Sequence, residues 1–325
     1  MQRGLTEATH RVLAPRAVTI LYNLLMSRPE RRPWVLPANI CHIVPVTFLK
    51  ARVPFEFADI SPQTLHINMD WALERAHTGQ IGGLLYAHTY GEASTPTDFF
   101  AELKQVDESM LVIDDRCLCI PDLSSNVENP ADVLLYSTGY AKIADLGFGG
   151  YAFLKEGVSY NSYSLEYRKQ DLEALESDVK QKVMRRESFS YTDSAWLETD
   201  GSMPDWAEYQ ARVVEAVAMS LKRRREINSL YESMLPDEIR LSHEYQTWRF
   251  NIRVPNKLKI LESIFAAGFF ASSHYASLAS IMMSGRCPAA EQLADEVVNL
   301  FNDHHYTLQM AEQTSHIIME AINAC

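Results

Sequence analysis

LLYSTGYAKIADLGFGGYAF, residues 134–153, reads as two buried strands separated by a polar turn. The first strand, VLLYSTG (133–139), runs into hydroxyl residues and a glycine. Lys142 follows, and the apolar pattern resumes in GGYAFLK (149–155). Working outward toward the N-terminus, MLVIDDRCLC (110–119), GGLLYAHTYG (82–91), PFEFADI (54–60) and WVLPANI (34–40) are further short apolar runs of buried-strand type. Residues 16–27, 41–51, 69–78 and 95–106 lie between them with apolar side chains at helical spacing. Pro15 marks a helix start and TPTDFFAELKQV (95–106) a capped helix. Strands alternating with helices predict an α/β fold with a mainly parallel sheet flanked by helices. Such sheets bind ligands beyond the carboxyl ends of their strands. The polar residues at those ends, His88, Asp114, Asp115, Ser137 and Lys142, are therefore the first site candidates.

Residues 156–204 change character and read as a polar insertion or arm. A long amphipathic helix over 205–234 follows, stopped by Pro236. Its run Lys222-Arg223-Arg224-Arg225 reads as a solvated face. From about 240 the chain reads as a second, smaller α/β unit, with strands at 245–254 and 269–275 and helices at 257–268, 289–301 and 307–323. The expected division is a large domain over 1–235 and a small C-terminal domain over 236–325.

The 325 residues are 47% hydrophobic and 22% charged, which excludes a disordered chain, a collagen-like chain and a disulfide-stapled miniprotein. A net charge of −12 repels phosphate backbones and argues against general nucleic-acid binding. It leaves room for a small basic pocket. Cys41, Cys117, Cys119, Cys287 and Cys325 are too few and too irregular for a disulfide framework, so reduced thiols are expected. MQRGLTEATHR lacks the apolar core of a signal peptide, and no run reaches the ~18–20 apolar residues of a membrane span. A soluble, cytoplasmic protein is expected. No metal is expected either. Cys117 and Cys119 share a strand face but no second ligand pair follows, and the adjacent His304 and His305 cannot face one metal from a regular helix or strand.

The chemistry sits at the strand ends. A carboxylate closing the apolar strand VIDD (112–115) needs a cationic or hydrogen-bonding partner. A small polar turn offers hydroxyl and N–H donors to an anion. A lysine beside a low-dielectric cleft deprotonates readily and can form a Schiff base. Strand-end aspartate, serine-rich turn, lysine and glycine pair together suit pyridoxal phosphate. The plainer alternatives are a loop lysine, a capping aspartate and an ordinary turn serine. Alternation along the strand makes Asp114 the structural member of its pair.

These same residues resemble the DegT/StrS-type aminotransferases, fold-type-I enzymes that use pyridoxal phosphate on nucleotide-linked keto-sugars. VIDD is similar to the family's "VIED", and LLYSTGYAKIADLGFGGYAF to its "FSFHPTKNLT.GEGGAV". LLYAHTYGEASTPTDFFAEL resembles its "VHLYG" segment, and AGFFASSHYASL and CPAAEQLADEVVNLFNDHHYT its closing domain. The resemblance runs from Arg16 to the C-terminus, weakest over 156–205. It implies that Lys142 is the Schiff-base lysine and proton shuttle, and that Asp115 partners the ring nitrogen. Ser137, Arg16 and Ala17 would bind the phosphate, Cys117 would lie against the ring and His88 would approach it. His274 and Tyr275 match the family's "HY" and would line the substrate pocket. Apart from the resemblance, even spacing puts Arg249 and Arg253 on one strand face, and one of them, Arg249 first, is the candidate to hold a substrate or donor carboxylate.

The departures are specific. Leu118 stands where the family has glutamine, Pro15 precedes the first helix, and Asn39, Cys41 and His42 replace its stacking aromatic. Of the segment that reaches a neighbouring subunit, only Asn161 and Arg168 are candidates. A lysine at 142, in place of histidine, argues against the dehydratase branch. The resemblance implies a homodimer with active sites at the interface. It also implies amino transfer from L-glutamate to a keto-sugar nucleotide, in polysaccharide, lipopolysaccharide or secondary-metabolite sugar biosynthesis. Another pyridoxal-phosphate reaction on the same scaffold, a decarboxylase or lyase, and a non-catalytic binding relative are the alternatives.

Overall fold

The computed structural model describes residues 9–124 and 128–323. Cys325 and most of the N-terminal stretch read above lie outside them. The main sheet has seven strands: β1 (Thr9–Ala14), β2 (Trp34–Pro37), β3 (Phe55–Ala58), β4 (Gly83–Ala87), β5 (Leu111–Asp115), β6 (Val133–Ser137) and β7 (Gly150–Lys155). Their order is β1-β7-β6-β5-β4-β2-β3. Strands β2 to β6 are parallel, while β7 runs antiparallel to β6 and β1 antiparallel to β7. The expected mainly parallel α/β sheet is therefore the one found.

Alternation along these strands divides the core. Leu85, Ile113 and Leu135 face one layer, packed beneath α1 (Ala17–Ser27) and α2 (Ile43–Ala51) with Ile20, Leu24 and Phe48. Leu84, Tyr86 and Val112 face the other, against α3 (Met69–His77) and α4 (Thr97–Val106) with Ala72, Phe100 and Leu103. Asn68 caps α3 by accepting the Trp71 N–H at 3.1 Å. The start of α4 departs from expectation. Pro96 occupies the cap position, no side chain caps the helix, and the Thr97 hydroxyl turns to the Thr95 carbonyl.

The segment 156–204 is packed on α1. Tyr160 accepts from Asn23 Nδ2 at 3.0 Å, and the Glu198 carbonyl accepts from Thr19 at 2.6 Å. It contains α5 (Lys169–Arg185), followed by α6 (Trp206–Met234), which Asp205 caps. At its N-terminal end α6 buries Tyr209 and Val213 against Tyr136 and Tyr151 of the main sheet. Its C-terminal end buries Ile227 and Tyr231 in a second core with Phe250, Ile252, Val298 and Ile318. The basic run is not wholly solvated. Arg224 falls on the face of Ile227 and Tyr231, is buried, and bonds the Trp248 carbonyl and the Asn302 side chain.

The second core covers a three-stranded antiparallel sheet of β8 (Phe250–Arg253), β10 (Val297–Leu300) and β9 (Ala271–Ser272), in that spatial order. Helices α7 (Lys257–Ala266), α8 (Ala279–Met282), α9 (Pro288–Glu296) and α10 (Leu308–Asn323) complete the chain. The helix expected over 289–301 ends at Glu296, and Val297–Leu300 is the central strand. The four residues VVNL are too few to show a period, so a helix and a strand were equally legible there.

Chain entry into α1 depends on two glycines. At Gly150 a Cβ would lie 2.4 Å from the Ala17 nitrogen, and at Gly149 (φ +95°) it would lie 2.6 Å from Thr138 Oγ1. At Gly139 it would meet only Ser137 Oγ, at 3.6 Å. Gly150→Ala is therefore expected to cost about 1–3 kcal/mol in denaturant unfolding, while Gly139→Ala stays within about 0.5 kcal/mol of wild type. Equal costs would refute the close-approach explanation.

Candidate active site

A cleft of about 470 Å³ opens at the carboxyl ends of β4, β5 and β6. Arg16, Ala17, His88, Asp115, Cys117, Ser137, Lys142 and Tyr275, all expected from the sequence, line it together. His274 and Arg249 do not. Arg249 is buried against Asp303 at 2.5 Å, its guanidinium 4.1 Å from the Phe301 ring centre, so it closes an internal ion pair. The His274 ring centre lies 5.9 Å from that of Trp248, while the His274 carbonyl accepts from Tyr90 Oη at 2.7 Å.

One end of the cleft suits an anion. The N-terminus of α1 points into it after an extended Arg16, with no side-chain cap and no acid in its first turn. Ser137, at the end of β6, accepts the Gly139 N–H at 3.4 Å. Its neighbour Thr138 is committed elsewhere, to the Phe148 carbonyl at 2.7 Å and Tyr209 Oη at 2.6 Å. That leaves Ser137 as the hydroxyl of this pair that is free to face the cleft.

Lys142 is half-buried and its amine has no hydrogen-bond or ion-pair partner among the described residues. The peptide before it is held on both sides. The Ala141 N–H donates to Asp145 Oδ2 at 2.8 Å, and its carbonyl accepts from Trp248 Nε1 at 2.8 Å. Ala141 sits at φ +60°, a left-handed conformation costing an L-residue about 1–2 kcal/mol. Trp248 itself stacks between Tyr90 and Tyr275. Trp248, which lies just before β8, thus fixes the backbone that presents Lys142.

Asp115 and Asp114 divide as the strand alternation requires. Asp115 faces the cleft and accepts the Cys117 N–H at 3.0 Å. Burial raises its carboxyl above the ordinary range, while the Cys117 hydrogen bonds and the charges of Lys142 and His88 pull it down. Asp114 is fully buried and accepts from His88 Nε2 at 2.6 Å and from Arg116 Nε and Asn129 Nδ2 at 2.7 Å. Burial alone would raise it, but His88 and Arg116 outweigh burial and hold it below its ordinary value.

Leu118, where the resemblance called for glutamine, packs with Tyr90 and Trp248 in an apolar cluster. Cys41 and His42 occupy the cleft wall. Sequence reading missed Tyr140, 72% exposed at the mouth, and the contributions of Tyr167, Leu172, Glu176 and Glu198. The last four come from the segment 156–204, where no motif marks them. Asn161 and Arg168 lie outside the cleft lining. The Asn161 amide bonds Ser27, and Arg168 pairs with Glu166 and Asp171.

The four described cysteines are free thiols. Two clusters bring metal-type ligand atoms within 4.8 Å of one another: His66, His88 and Glu92, and Asp303, His304 and His305. In the first, both His88 nitrogens are already hydrogen-bonded. In the second, Asp303 is taken by Arg249 and the His305 amide. The adjacent histidines converge because they lie in a turn, where the alternation of a strand does not apply.

No protein-family model and no curated protein matches the sequence. Solved structures do match the fold. A DegT DnrJ EryC1 StrS aminotransferase from Brucella abortus superposes with a TM-score of 0.66 at 15% identity, covering 96% of this chain and 85% of its own. This is the fold of that aminotransferase group. DesI, solved in the presence of its TDP-sugar product, gives a TM-score of 0.71 at 15% identity over 97% of this chain and 81% of its own. The PLP form of Spr1654 from Streptococcus pneumoniae gives 0.67 at 13% identity over 96% and 87%.

Asp114 makes a testable contribution to acid stability. Because its folded carboxyl is held below the ordinary 3.8, its stabilisation is complete above that value and is lost as pH falls through the lower, folded one. Asp114→Asn is expected to lower stability at pH 7 by about 3–5 kcal/mol and to flatten the acid limb of a stability–pH curve. An unchanged acid limb would contradict this assignment.

Proposed function

We propose that this chain is a pyridoxal-phosphate-dependent aminotransferase acting on a sugar. The observation that carries the reading is one cleft holding an unpartnered Lys142, a buried Asp115 and the uncapped start of α1. These residues fit the cofactor: an anion site, a carboxylate and a free amine face one cavity. When bound, pyridoxal phosphate supplies an electron sink that acidifies the α-hydrogen of an amino donor. The α1 N-terminus, Arg16, Ala17 and Ser137 would hold the cofactor's phosphate charge. Asp115 would keep a proton on the ring nitrogen, and Cys117 and His88 would form the cleft wall beside the cofactor. Lys142 Nζ would hold the cofactor's aldehyde and would be the base that moves the proton of the donor's α-carbon. The pinned Ala141 peptide keeps that amine in reach through both tasks.

The proposed donor is L-glutamate and the proposed acceptor a keto-sugar nucleotide. The fold neighbour solved with a TDP-sugar product supports a nucleotide-linked acceptor. Tyr140 and Tyr167 at the cleft offer aromatic surface to it. A homodimer belongs to the same reading, as does a role in polysaccharide, lipopolysaccharide or secondary-metabolite sugar synthesis. Among the described residues, no helix is long and apolar enough to cross a membrane.

On adding pyridoxal phosphate, the protein is expected to gain a visible absorption band that borohydride fixes as a mass increment on Lys142. Lys142→Ala is expected to lose the band and at least about 10³-fold in turnover. L-Glutamate should bleach the band with release of 2-oxoglutarate. Release of carbon dioxide or ammonia without an acceptor would replace transfer with decarboxylation or lysis. A folded protein that takes up no cofactor would overturn the reading.

A further inference from the structure

The segment 156–204 is held on its own chain at both ends and along its length. It leaves β7 at Lys155, and by Tyr160 it is already on α1, where Asn23 Nδ2 donates to Tyr160 Oη at 3.0 Å. The five steps from Lys155 to Tyr160 span at most about 18 Å. The Tyr163 hydroxyl then donates to the Met26 carbonyl at 3.1 Å. At the far end, a Cβ on Gly201 would lie 2.8 Å from Pro15 Cγ, and α6 starts at Trp206 against the main sheet. Between these ends, Leu175, Val179, Trp196 and Leu197 are buried in the core that holds Ile20 and Leu24 of α1. Lys50 of α2 donates to Asp193 Oδ1 at 2.8 Å and to the Ser194 carbonyl at 2.9 Å. Lifting the segment away would expose apolar surface on both sides.

Asn161 and Arg168, the candidates for reaching a neighbouring subunit, are engaged internally. The Asn161 N–H donates to Ser27 Oγ at 2.7 Å, and the Arg168 N–H donates to the Ala195 carbonyl at 2.7 Å. The second bond joins the start of α5 to the stretch that leads to Glu198. The Glu198 carbonyl is fixed on the first turn of α1 by Thr19 Oγ1 at 2.6 Å. Tyr167, Leu172, Glu176 and Glu198 thereby form one wall of the cleft. The Tyr167 and Glu176 side chains are exposed, and neither has a polar partner among the described residues.

We propose that this segment is a substrate-reading wall that each chain supplies to its own cleft, with Tyr167 and Glu176 as specificity-determining residues for a sugar ring. An aromatic face packs on the C–H face of a sugar, and a carboxyl oxygen beside it accepts from the ring hydroxyls. Short connectors and a shared core tie the wall to one chain, whatever the number of subunits. The choice of a sugar rests on the proposed function, whereas the supply of the wall in cis does not.

Zero-length carbodiimide coupling of the native protein tests the supply in cis. Lys50 and Asp193 are expected to be joined in peptides recovered from the band of single-chain mass on a denaturing gel. Lys182 and Glu187, 3.0 Å apart within the segment, report that coupling has worked. A Lys50–Asp193 link found only at twice that mass, or absent beside a Lys182–Glu187 link, would overturn it. Calorimetry with TDP-glucose and with TDP, in the presence of pyridoxal phosphate, tests the two specificity residues. TDP-glucose is expected to bind more tightly than TDP. Tyr167→Ala and Glu176→Gln are each expected to weaken TDP-glucose by about tenfold and leave TDP unchanged. Both side chains are exposed, so neither substitution threatens folding. A wild type without that preference, or variants that weaken both ligands equally or neither, would remove these residues from sugar recognition. Failure to take up pyridoxal phosphate would sink the proposed function while leaving the coupling result in place.

Discussion

The rest of the site depends on how closely the start of α1 approaches the first residues of β7. Gly149 and Gly150 have no Cβ, so the helix N-terminus can settle against the sheet edge, with the Gly149 amide bonded to the Pro15 carbonyl at 2.6 Å. That contact aims an uncapped helix end at the carboxyl ends of β5 and β6. It also draws the turn carrying Lys142 back over the cleft, because Thr138 is tied to Phe148 and to Tyr209 of α6. A side chain at either glycine would push the anion end and the amine end apart.

The second constraint is electrostatic. Two adjacent carboxylates end β5, and strand alternation sends them to different partners. Asp114 becomes the buried hub for His88, Arg116 and Asn129, while Asp115 stays with one amide bond and an open side toward the cleft. Structure and chemistry are thereby separated by one residue. Trp248 adds the third element by holding Ala141 in a backbone conformation that is costly for an alanine. The presentation of Lys142 consequently depends on a long-range hydrogen bond as well as on its own turn.

Most of this was legible in the sequence because it lies where pattern is strong. Buried parallel strands are continuous apolar runs, and the polar residues that end them are conspicuous. Lys142, Asp115 and Ser137 were therefore read as one site from pattern, while the α1 start entered only through the family resemblance; all line one cleft. The misreadings lie where local pattern is ambiguous. Val297–Leu300 is too short to show a period, and Arg224 looked like its charged neighbours although the helix turns it inward. Arg249 had the right spacing for a ligand but found Asp303, a long-range partner that spacing does not reveal. Tyr167, Leu172, Glu176 and Glu198 reach the cleft through the packing of a segment without motifs. Trp248 acts through a hydrogen bond spanning 107 residues.

A crystal structure of the protein soaked with pyridoxamine phosphate, the amine form of the cofactor, tests the central claim most directly. The phosphorus is expected at the N-terminus of α1 between Arg16 and Ser137, with the ring nitrogen on Asp115 and Lys142 Nζ free on the amine side. Phosphate density elsewhere, or a ring turned away from Asp115, would contradict the assignment of this cleft.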